Sequence, residues 1–248
     1  MTGTISSRAG LHDDTRLAGG YLRESELPLT SLMFLLPLIT VYEVGTTYFT
    51  TAAQHGQEQQ IIAFTLLQRF FRLFGVHGQH LPALAVATIL LSWHIARKER
   101  WHFNLMTLIG MGAESALLAL PLIALGRELV RHFPLAAVHV NRHDVIIMSF
   151  GAGVYEELIF RLILFSVLSV LLKDVLRLHS FWVYLGVVVI SASAFSAYHY
   201  LSPVERFQWR AFVFRTLAGG YFGVIFLLRG FGVTAGSHAC YDILILFL

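Results

Sequence analysis

Apolar stretches close to 20 residues long recur along this chain, and that recurrence limits its fold more than any other feature. A bilayer core of ~30 Å takes about 20 helical residues to cross. Inside it, only helices and closed barrels satisfy every backbone polar group. The runs here are continuous and lack the period-two alternation of barrel strands. The expected fold is therefore all-α, a polytopic helical membrane protein. Composition agrees: only 13% of residues are charged, against about a quarter in a soluble domain, and mean hydropathy is +0.66.

Seven transmembrane spans are read at 29–53, 81–97, 104–126, 144–171, 181–201, 210–230 and 232–248. Residues 60–76 mix Ile61, Phe64, Leu66 and Phe70 with Gln68, Arg69 and Arg72, the pattern of an interfacial helix or a short re-entrant piece. Residues 1–28 carry Asp13, Asp14, Glu24 and Glu26 and no apolar core, so no cleavable signal peptide is expected and the first span reads as a retained anchor. The chain divides into an N-terminal tail (1–28), accessory helices with the interfacial segment (29–126) and a C-terminal core (144–248), with the longest break between Arg127 and His143. Lys and Arg near the span ends number nine on the side of the N-terminus and seven on the other, which favours an N-terminus inside. The net charge of +3 is spread thinly between spans, so a membrane surface fits it and nucleic acid does not. A single cysteine, Cys240, rules out an internal disulfide; it reads as a small core residue.

An ionisable side chain at bilayer depth costs about 2.5 to 3.5 kcal/mol, so each one calls for a partner or a function. The fourth span contains Tyr155, Glu156, Glu157, Leu158, Ile159, Phe160 and Arg161. Glu157 and Arg161 stand four residues apart on one face and are expected to pair. Glu156 points about 100° away and lacks that partner; desolvated, it is suited to act as a general base. Phe195 and His199 share a face at the end of the fifth span, and His238 and Asp242 share one in the seventh. A carboxylate beside an imidazole fixes its tautomer, in catalysis or beside a metal. Together these groups suit activation of water for attack on an amide carbonyl, with an imidazole to stabilise the oxyanion.

The order Glu156-Glu157-x-x-x-Arg161, Phe195-x-x-x-His199 and His238-x-x-x-Asp242 resembles the signature of the CAAX protease and bacteriocin-processing (CPBP, or Abi) family of intramembrane endopeptidases. The resemblance covers about residues 144–248. It implies Glu156 as base toward water, His199 assisting, and His238 with Asp242 completing the pocket and oxyanion site. It also implies a membrane-tethered protein or peptide as substrate and a bacterial cytoplasmic membrane as location. Asp242 stands where the family commonly has asparagine. No cofactor or a divalent metal such as zinc are both open, since Glu156, His199 and His238 would make a His₂Glu set; no His-Glu-x-x-His motif is present.

Two other classes stay open: an ion-coupled carrier relaying through Glu43, Glu114, Glu156, His199 and Asp242, and a non-catalytic immunity or binding protein of the same fold. A carrier predicts symmetry between halves, and no repeat is visible. Glu43 and Glu114 are expected to pair between helices, with Arg215 as one partner. His94 is expected at the interface, as are Trp93, Trp101, Trp182 and Trp209. Gly219 and Gly223 form a small-x-x-x-small face for close helix packing.

Overall fold

The computed structural model describes residues 20–49, 60–132, 141–178, 180–202 and 205–247. Most of the expected N-terminal tail, the last residues of the first expected span and residues 133–140 of the long break lie outside that description. Among the described residues, all regular structure is helical. The helices are α1 (Pro28–Tyr48), α2 (Ile62–Leu73), α3 (Leu81–Ala96) and α4 (Leu105–His132). α5 covers 142–175 and changes type along its length. It begins as the α-helix Arg142–Gly151, capped where the Asn141 side chain accepts from the His143 amide at 3.1 Å. It then widens into π turns over Ala152–Glu156 and Leu158–Phe165. Such turns are uncommon and cluster at functional positions; here they carry Glu156 and Arg161, with Glu157 at their junction. α6 is Phe181–Tyr198, continued by a 3₁₀ turn, His199–Leu201.

The last element, Trp209–Ile245, breaks at Gly230, whose φ of 74° and ψ of −174° only glycine adopts without strain. Phe222 and His238 lie 16 positions apart, ~24 Å along a straight helix at about 1.5 Å per residue, yet their rings stack with centroids 4.7 Å apart. Phe214 and Tyr241 also meet, at 6.3 Å. The chain must therefore fold back on itself at Gly230, giving two antiparallel arms, α7 (209–229) and α8 (231–245).

α8 is the central helix: every residue from 231 to 239 is buried. Its small residues permit this, because a side chain at Gly232 would meet Met111 and Ser31, and one at Gly236 would meet Phe34. Gly153 of α5 approaches backbone itself, since a Cβ there would lie 2.6 Å from the Ala235 carbonyl oxygen. This backbone contact holds the π turns of α5 against α8. On the other side, Tyr42 of α1, Phe64 of α2 and Tyr155 of α5 meet edge to face at 5.1 to 5.4 Å. Gly219 packs against Ala192 and Phe195 of α6, as the small-residue face predicts.

Among the described residues, four helices are long and apolar enough to cross a membrane: Pro28–Tyr48, Leu105–Glu128, Phe181–Leu201 and Trp209–Ile245. Leu81–Ala96 is a shorter apolar helix. The two last expected spans are the arms of one element, and the span expected at 144–171 is α5, divided by its changes of helix type.

One expectation needs correction. Neither Glu43 nor Glu114 pairs with Arg215, whose partner is Glu205 at 2.5 Å. Glu114 receives Arg229 Nε at 2.5 Å and Nη2 at 2.9 Å together with the Tyr21 hydroxyl at 2.5 Å. Glu43 receives the Tyr155 hydroxyl at 3.1 Å and faces His80 Nδ1 at 2.6 Å. These partners are distant in sequence, so no local pattern betrays them. His94 is fully buried within the protein, edge-on to Trp101 at 4.7 Å; it follows the buried Val86 and Leu90 at four-residue spacing, on the inward face of α3. In α2, Ala63, Phe64 and Leu67 are buried in the core while Phe70 and Leu73, with Phe74 just after it, are exposed. The four tryptophans are exposed and Cys240 is half-buried.

Arg229 precedes the break and also reaches Glu26 at 3.1 Å and Ser25 at 2.8 Å, which ties the segment before α1 to the α7–α8 turn. Burial, with the hydrogen bond to Glu114, pushes the Tyr21 hydroxyl up to about 12, so it remains a donor.

Candidate active site

Glu157 and Arg161 are both fully buried, and Arg161 Nη1 donates to Glu157 Oε1 at 2.9 Å, the pair expected from their spacing. A buried guanidinium needs further partners. It donates from Nη2 to the Gly219 carbonyl at 3.0 Å and lies 4.5 Å over the Phe195 ring. Arg161 thus joins α5 to both α6 and α7.

The same Glu157 oxygen faces His238 Nδ1 at 2.7 Å. With the proton on Nδ1, His238 donates to this carboxylate and presents Nε2 on its far side. Nε2 lies 3.9 Å from Glu156 Oε2 and 3.6 Å from Asp242 Oδ2. The ring is sandwiched by aromatic neighbours, stacked on Phe222 and edge-on to Phe195 at 5.7 Å. One imidazole therefore has its tautomer set by Glu157 and its second nitrogen turned toward two more carboxylates.

Glu156 is buried, and its Oε1 accepts from the Tyr198 hydroxyl at 3.0 Å. Tyr198 was not singled out by the sequence, although it follows Phe195 by three positions and so shares its inward face. His199, the next residue, starts the 3₁₀ turn, and its Nδ1 faces the Phe195 carbonyl at 2.9 Å. The Phe195 ring touches both imidazoles, at 5.1 Å for His199 and 5.7 Å for His238. Glu156, Glu157, Arg161, His238 and Asp242 thus form one connected polar group. His199 borders it through Phe195 and, among the described residues, has no hydrogen bond or ion pair to the three carboxylates.

Among the described residues, no three His, Cys, Asp or Glu side chains are grouped so as to hold a metal ion. Glu156, His199 and His238 are not gathered into such a group, while Nδ1 of each imidazole faces an acceptor, the Phe195 carbonyl for His199 and Glu157 for His238, which leaves both Nε2 atoms open to another partner.

The fold and these side chains define an all-helical integral membrane protein with an acid–imidazole cluster buried among its helices, equipment suited to hydrolysis. Residues 141–244 match the family model described as type II CAAX prenyl endopeptidase Rce1-like, so this segment of the chain is similar to the CAAX protease family. The matched segment runs from the cap of α5 into α8 and contains all six residues that the sequence marks as the site. No curated protein and no solved structure matches the chain. The family is one of proteases.

Proposed function

We propose that the chain is an intramembrane endopeptidase that hydrolyses a peptide bond near the terminus of a membrane-tethered protein, with Glu156 as the base toward water and His199 and His238 assisting. The observation that carries this reading is a buried carboxylate with one oxygen held by Tyr198 at 3.0 Å and the other facing His238 Nε2 at 3.9 Å. In the proposed reaction Glu156 takes a proton from water as the oxygen attacks the scissile carbonyl. His238, protonated on Nε2 as well as Nδ1, presents its Nε2–H to the developing oxyanion, and the proton held by Glu156 passes to the departing amine. Glu157 and Arg161 hold His238, and Asp242 keeps an acceptor near its outer nitrogen. The matched family's description names a prenylated CAAX terminus as a substrate class; a membrane-anchored C-terminal peptide is the corresponding substrate here. The reading includes seven spans with a separate segment at α2, an N-terminus inside and a cytoplasmic membrane as location.

The test is cleavage of lipid-anchored peptides by the protein in proteoliposomes, read by mass spectrometry, alongside folded Glu156→Gln and Glu156→Ala variants. The expected result is a new peptide terminus with the native protein and only a small residual rate with either variant. Equal cleavage by Glu156→Gln overturns the assignment, and ion flux without peptide product would favour a carrier.

A further inference from the structure

The Tyr198 hydroxyl has two partners. It donates to Glu156 Oε1 at 3.0 Å and accepts from the Ala63 backbone N–H at 2.9 Å. Ala63 lies in the first turn of α2, where amides have no partner within the helix. The neighbouring amide of Ile61 is met by the Tyr42 hydroxyl at 3.3 Å. α2 belongs to the accessory part of the chain, outside the 141–244 segment that carries the family match. A phenol has one rotatable proton, and an amide donor on its lone pair leaves that proton directed at the carboxylate. Tyr198 is itself buried, with its ring edge-on to Phe160 at 5.1 Å.

We infer that Tyr198 is a positioning residue for Glu156, set by the first turn of α2, so that an accessory helix governs the orientation of the carboxylate in the core. The inference rests on the proposed role of Glu156. Glu156 has no i to i+4 cation like that of Glu157, and His238 Nε2 lies 3.9 Å from its Oε2. That distance is too long for a hydrogen bond. The Tyr198 contact therefore fixes which carboxylate oxygen is turned toward His238. If α2 moves away from α6, the hydroxyl loses its amide donor and is free to rotate.

The experiment uses the full-length protein in proteoliposomes with Tyr198→Phe, Glu156→Gln and the double variant. It reads kcat and KM on an anchored peptide, thermal unfolding, and the infrared carboxyl band that Glu156→Gln removes. Tyr198→Phe is expected to shift that band and to lower kcat on the order of tenfold to a hundredfold, the size of one lost hydrogen bond to a charged group. KM should stay within about twofold. In the Glu156→Gln background, the same change should have no further effect on the residual rate. An unshifted band overturns the inference, as does a shifted band with unchanged kcat or an equal loss of rate in both backgrounds. A Glu156→Gln protein as active as the native one instead refutes the assigned base, a separate result.

Discussion

Replacing Arg161 with methionine removes the cation that neutralises a fully buried carboxylate. The variant retains Glu157, whose side chain is 0% exposed, and breaking such a pair from one side costs about 3 to 5 kcal/mol because the remaining charge has no compensation. The Gly219 carbonyl, which accepts from Nη2 at 3.0 Å, also loses its donor, which favours the upper end of that range. Methionine fills much of the arginine volume against Phe195 and Phe222, so the loss is electrostatic more than steric. Equilibrium unfolding in mixed micelles measures it. The double variant Arg161→Met with Glu157→Gln is expected to recover at least half of the loss, because the glutamine carbonyl still accepts from His238 without a charge. A loss under about 1 kcal/mol for the single variant refutes the claim that this pair is desolvated.

Gly153→Ala places a methyl group against the backbone of α8, 2.6 Å from the Ala235 carbonyl oxygen and 2.9 Å from the Ala239 amide nitrogen. Neither can yield as a side-chain tip would, so about 1 to 3 kcal/mol of stability is expected to be lost, and cleavage should fall further as Glu156 and His238 separate. Tyr21 supplies the pH prediction. Its folded hydroxyl is raised from 10.0 to about 12, so its contribution is fully present below pH 10.0 and is lost as pH rises toward about 12. Tyr21→Phe should flatten this alkaline limb of a stability profile, and an unchanged limb would show that another group controls it.

Within single helices, the sequence was informative. The Glu157–Arg161 pair and the common face of His238 and Asp242 follow from i to i+4 spacing, and both hold at 2.9 Å and 3.6 Å. The inward position of Tyr198 was also readable, three residues after Phe195, as was that of His94, four after Leu90. They were missed because in lipid both faces of a helix are apolar, so no polar stripe marks the outside and the usual inward signal is lost. The contacts of Glu43 and Glu114 span 112 and 115 residues, and no periodicity reaches that far.

Local constraints, backbone satisfaction in lipid and the cost of burying charge, were enough to read the chain as helical and membrane-embedded and to pick out the acids and imidazoles that interrupt its apolar stretches. Which of these groups meet depends on the packing of helices far apart in the chain. The reversal at Gly230 brings His238 back beside Phe222, and the close approach of Gly153 to α8 sets both glutamates against that ring. Tyr198 reaches Glu156 from another helix. Such meetings depend on how helices pack through small residues and single breaks, and packing of this kind joins positions that are far apart along the chain.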